Sequence, residues 1–117
     1  MRAGVLIVDD HMDFRESARM MLEAAGFVVV GEAADGAEAL AAEARLRPAL
    51  ILLDIQLPDV DGFLLAEELS RTANPPVVVL VSSRDADAYG DRVAACPARG
   101  FISKFDLSGR SLAKLVR

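Results

Sequence analysis

The chain has 117 residues and a mass of 12.5 kDa, enough for one compact domain and too little for two that each bury a core. Its 53% hydrophobic and 26% charged residues exclude a disordered tail, and a formal net charge of -5 argues against a general nucleic-acid or anionic-membrane binder. Short apolar runs then alternate with amphipathic stretches along the chain. Val5–Val8 is the first run, followed by Phe14, Ala18, Met21, Leu22 and Ala25 at helical spacing, with Gly26 placed for a left-handed cap. Val28–Val30 is the second, followed by Asp35 and Glu38 as a capping box and by Ala37, Leu40, Ala41 and Ala44 on one helix face. Leu50–Leu53 precedes a helix marked by Phe63, Ala66 and Leu69. Val77–Val81 precedes a fourth helix marked by Tyr89, Val93 and Cys96, and Phe101–Ile102 precedes a final helix over 108–116.

Five strands that alternate with five helices make a parallel sheet, since each strand needs a crossover before the next. Four of the five runs are continuous rather than alternating, as for strands covered on both faces, and Pro48, Pro75, Pro76 and Pro97 stand where helices must end. The expected architecture is a three-layer α/β domain over 1–117, with no repeat, linker or second unit. A single cysteine, Cys96, cannot form an internal disulfide, and no apolar run approaches the ~18 residues of a membrane span. The N-terminus turns acidic after five apolar residues and is no signal peptide, so a cytoplasmic setting is expected.

Ligands of an open parallel sheet bind beyond the carboxyl ends of its strands. Those ends carry Asp9 and Asp10, then Asp54, then Ser82 and Ser83, then Ser103 and Lys104. With the first and third strands adjacent, three carboxylates converge, and such a cluster calls for a cation. An oxygen-only set suits Mg²⁺ better than zinc. Together with the Ser82 hydroxyl and the Lys104 ammonium, the cation would cradle phosphoryl oxygens, and a carboxylate aimed into the cradle can become an acyl phosphate. Lys104 is one of two lysines beside eleven arginines, and a compact point charge suits this position. The alternative reading of Asp9 and Asp10, as caps of the first helix, leaves the other strand-end groups unexplained.

Other chemistries lack their residues. There is no G-x-x-x-x-G-K-[ST] and no G-x-G-x-x-G. A phosphohydrolase that uses an aspartate nucleophile needs an acid two residues on, where this chain has Gln56.

Val-Asp-Asp at 8–10, Leu-Asp-Ile-Gln-Leu-Pro-Asp-Val-Asp-Gly at 53–62, Val-Ser-Ser at 81–83 and Gly-Phe-Ile-Ser-Lys at 100–104 together resemble the receiver domain of bacterial two-component response regulators. The resemblance implies a doubly wound, flavodoxin-like sheet of order 2-1-3-4-5. It implies Asp54 as phosphoacceptor, with a sensor histidine kinase or a phosphotransfer protein as donor. It implies Mg²⁺ held directly by Asp10, by Asp9 through water or as a helper, by Asp54 and by the backbone carbonyl of Gln56. Ser82 and Lys104 would contact the phosphoryl group, and the surface of the fourth helix, fifth strand and fifth helix would change on modification or pair with a second copy. Phe101 falls at the switching aromatic; it either moves inward with Ser82 or simply fills the core.

Two departures are visible. Phe105 stands where many members carry proline after the lysine, so a trans bond is expected there. Arg84, beside the phosphoryl position, is expected to point into solvent. Several segments resemble receivers that precede a helix-turn-helix domain, while Ser-Ser-Arg-Asp and Ala-Arg-Gly-Phe look more like stand-alone receivers; no DNA-binding segment is expected within the chain. A receiver that docks or dimerises without phosphorylation is the second reading.

Overall fold

The computed structural model describes residues 4–116; the outermost ends of the expected 1–117 unit lie outside these residues. Five strands are present: β1 (Gly4–Val8), β2 (Val28–Ala33), β3 (Leu50–Asp54), β4 (Val77–Ser82) and β5 (Gly100–Ser103). They form one parallel sheet in the order β2-β1-β3-β4-β5; the alternation predicts the parallel sheet, and the resemblance implies this flavodoxin-like order. The helices are α1 (Met12–Ala24), α2 (Gly36–Leu46), α3 (Gly62–Leu69), α4 (Arg92–Ala95) and α5 (Gly109–Val116).

Continuous apolar strands give the sheet two buried faces. Leu6, Val8, Ile51, Leu53, Val78 and Leu80 pack beneath α2 and α3. Val5, Ile7, Leu50, Leu52, Val79 and Val81 pack beneath α1 and α5, against Ala18, Leu22 and Leu112. This period-2 division is why β3 and the middle of β4 show no polar face at all. Their carboxyl ends are consequently the first places where a side chain of these strands can be polar.

The helix ends follow local chemistry. Gly26, at φ +95°, closes α1 in a left-handed turn, with Phe27 N–H donating to the Leu22 carbonyl and Gly26 N–H to that of Glu23. Asp35 accepts the Glu38 amide at 2.8 Å, and Glu38 reaches back to the Ala34 amide at 2.8 Å, one residue earlier than the expected reciprocal bond.

Two expectations fail. The face of α2 that meets the sheet carries Ala39 and Ala42, while Ala37, Ala41 and Ala44 are exposed. Alanines surround this helix, so spacing alone cannot select a face. The fourth helix is also broken: a 3₁₀ turn over Ala86–Tyr89 is followed by Gly90 at φ +59° and by only four α-helical residues. Tyr89, Val93 and Cys96 still turn toward the core, but from two short pieces instead of one helix.

Candidate functional site

The site gathers at the carboxyl edge of β1, β3 and β5. Asp9 follows the last residue of β1, is fully buried, and donates its amide to the Ala33 carbonyl of β2. Asp54 is the last residue of β3 and is 3% exposed. Asp10 is exposed beside them. Carboxylate oxygens of Asp9, Asp10 and Asp54 lie within 4.8 Å of one another, together with Nδ1 of His11. His11 therefore corrects the oxygen-only expectation: its Nδ1 stands 2.9 Å from Asp9 Oδ1 and 3.1 Å from Asp10 Oδ1.

Lys104 enters from the end of β5. Its Nζ lies 2.6 Å from Asp9 Oδ2, 3.6 Å from Asp54 Oδ2 and 4.3 Å from the centroid of the Phe14 ring. Arg15, from α1, donates to the Asp9 backbone carbonyl at 2.7 Å. Burial, and then the charge of Asp9, push the Asp54 carboxyl up to about 6 against the pull of Lys104 and of the Gln56 amide. A cluster with one acid so raised is short of positive charge. Its donors, three carboxylates and one imidazole nitrogen, fit a divalent cation with mainly hard ligands.

The loop after β3 is fixed from both sides. Gln56 N–H donates to Asp54 Oδ1 at 3.2 Å, and Gln56 pairs with Asp61 in an isolated antiparallel bridge. Asp59 accepts the Gly36 and Ala37 amides at 2.8 and 3.0 Å, tying the loop to the first turn of α2. Gly62 N–H donates to the Ile55 carbonyl at 2.8 Å, and a Cβ at Gly62 would stand 2.5 Å from Ile55 Cα. No side chain fits that approach, which accounts for the Asp-Gly step at 61–62.

Ser82 is buried at the end of β4, but its hydroxyl turns to other partners. It lies 2.6 Å from the Tyr89 hydroxyl and accepts the Arg84 amide at 3.0 Å. Among the described residues no hydrogen bond joins it to the three acids or to Lys104. Tyr89 sits between Phe63, at 5.5 Å between centroids, and Phe101, at 6.1 Å. Phe101 is half-buried and packs against the α2–α3 side of the core. Arg84 is exposed as expected, and the Lys104–Phe105 peptide is trans, with Phe105 83% exposed.

Helical spacing assigned Tyr89 to the core and missed its hydroxyl. The signal was available: it is the chain's only tyrosine, seven residues after Ser82. His11 directly follows the Asp9–Asp10 pair, and that adjacency is the sequence signal for its place in the cluster.

The sequence profile of the response regulator receiver domain matches residues 5–116. Response regulator GacA of Pseudomonas viridiflava is 32% identical over 114 residues, which cover 97% of this chain and 51% of that protein. A protein-glutamate methylesterase/protein-glutamine glutaminase of Alkalilimnicola ehrlichii is 40% identical over 114 residues, covering 93% and 29%. The chain thus spans about a quarter to a half of the length of the curated relatives it matches. Among solved structures, the signal receiver domain of NarL from Mycobacterium tuberculosis superimposes with a TM-score of 0.85 at 35% identity, covering 98% of this chain and 93% of that one. The chemotaxis response regulator CheY4 of Vibrio cholerae, at 24% identity, shares the fold with a TM-score of 0.86, covering 99% and 100%.

Proposed function

The chain belongs to the response regulator receiver domain family of two-component systems, and from that premise we propose that Asp54 is its phosphoacceptor. The observation that carries the reading is the convergence of Asp9, Asp10, Asp54 and Lys104 at one sheet edge.

An Asp54 carboxylate oxygen attacks phosphorus. The P–N bond to a donor phosphohistidine breaks, its electron pair stays on the imidazole, and that nitrogen takes a proton from solvent. Lys104 holds a phosphoryl oxygen by charge, and Asp9 fixes the ammonium beside the acceptor. Asp9, Asp10, Asp54 and the Gln56 carbonyl would hold Mg²⁺, which when bound offsets the negative charge of acids and phosphoryl group together. Gln56 offers no proton to a leaving group, so the domain acts as a signalling switch and not as a turnover hydrolase.

The donor is a sensor histidine kinase or a phosphotransfer protein. Residues 1–117 act as one receiver unit in the cytoplasm, and no helix of the described residues is long and apolar enough to cross a membrane. Modification alters the α4-β5-α5 face, which is also the proposed homodimer surface; the brevity of α4 makes that face depend on the Ala86–Tyr89 turn. The unit makes no direct contact with nucleic acid.

Incubation with a small phosphodonor, followed by intact mass, tests the reading. One phosphoryl adduct that forms with Mg²⁺ and is lost on chelation is expected. Adduct formation that ignores chelation, or none with any of several donors, overturns it.

A further inference from the structure

We propose that Tyr89 is a positioning residue that restrains Ser82 and carries the switch hydroxyl of this chain. The inference rests on the phosphoacceptor reading of Asp54 and goes beyond it.

Two partners hold the Ser82 hydroxyl. Its Oγ accepts the Arg84 amide at 3.0 Å and faces Tyr89 Oη at 2.6 Å. A serine hydroxyl has one proton and two lone pairs. In this arrangement its direction is set by the two partners, and neither is an acid of the cluster. To meet a phosphoryl group on Asp54, Ser82 must turn away from Tyr89. That turn would strip the Tyr89 hydroxyl of its partner inside a half-buried pocket, which is unfavourable unless Tyr89 moves as well.

Tyr89 is built to move. It is the last residue of an exposed 3₁₀ turn, and the next residue is Gly90 at φ +59°, a backbone state that absorbs a change of direction. Its ring rests edge-on against Phe63 and tilted against Phe101, contacts made by the ring that do not themselves fix the hydroxyl. Phe101 has no hydroxyl, so it can follow only by filling the space that Tyr89 leaves. Displacement of Ser82 therefore passes to the Ala86–Tyr89 turn and to the surface beyond it.

Tyr89 is the only tyrosine and the chain has no tryptophan, so intrinsic emission reports this one side chain. Wild type is incubated with Mg²⁺ and a small phosphodonor, with emission and intact mass followed in the same sample. The emission change is expected to grow in step with the adduct. Ser82→Ala should show the changed emission before any donor is added and no further change afterwards. Tyr89→Phe, freed of the restraint, should gain its adduct about two- to tenfold faster, the effect of one net hydrogen bond.

An adduct with unaltered emission, or an unchanged or slower Tyr89→Phe, overturns the role of Tyr89 and leaves the acceptor reading intact. Failure of any adduct to form overturns the acceptor reading and this inference with it.

Discussion

Lys104 and Asp9 form an ion pair of 2.6 Å in which the carboxylate is fully buried. Lys104 is 15% exposed, so the pair is poorly screened by solvent. Around the Asp9 carboxylate stand His11 and two further acids, Asp10 and Asp54, while the Arg15 guanidinium is held at the Asp9 backbone carbonyl, so Lys104 is the cation paired directly with the carboxylate. The lysine is thus part of the fold's charge balance as well as of the proposed chemistry.

Lys104→Met is expected to lower stability by about 3 kcal/mol, since it leaves a buried charge without its partner. The same change removes a cation that competes with a metal ion, so affinity for Mg²⁺ should rise about tenfold. Denaturant melts and metal titrations check the two halves. Adding Asp9→Asn should recover part of the lost stability, because the two changes act on one pair.

Burial first, and the Asp9 charge second, set the Asp54 carboxyl at about 6 instead of 3.8. The folded chain therefore keeps a proton that the unfolded chain has lost, and stability falls as pH rises between about 4 and 6. Asp54→Asn is neutral throughout. It is expected to exceed wild type by about 1–3 kcal/mol near pH 7 to 8 without divalent cations, and to show little advantage at pH 4. Mg²⁺ should narrow the gap at the higher pH. Denaturant midpoints at the two pH values measure it, and an advantage independent of pH would contradict a buried, proton-holding Asp54 as its cause.

Gly62 meets the backbone of Asp54 and Ile55 so closely that a methyl group would lie 2.5 to 2.8 Å from three backbone atoms. Gly62→Ala is expected to destabilise the fold by about 1–3 kcal/mol, since backbone must shift to admit it. Because the shift begins at Asp54 and the loop that contains Gln56, affinity for Mg²⁺ should fall as well. A thermal melt and a metal titration of the variant check both.

The architecture was legible because the strand runs are continuous and their separators long, which leaves a parallel sheet as the one arrangement. Asp9, Asp54 and Lys104 were legible for the same reason: a strand end is fixed once the strand is. The face of α2 was not, because alanine lies on every side of it. The fourth helix was misjudged because Tyr89, Val93 and Cys96 keep helical spacing across Gly90, where the backbone turns out of the helix. The Ser82–Tyr89 bond joins two elements through their side-chain tips, and no periodicity records it. Lys104 carries a second signal besides its strand end, since it is one of two lysines in an arginine-rich chain.

The central claim is that Asp54 takes the phosphoryl group. Borohydride reduces an acyl phosphate to the alcohol, which marks the acceptor aspartate as homoserine. Peptide mapping of wild type after incubation with Mg²⁺ and a small phosphodonor should find homoserine at position 54 alone, and Asp54→Asn should show none. Homoserine at position 9 or 10, or a phosphoryl group that survives reduction on His11 or Ser82, would contradict the account.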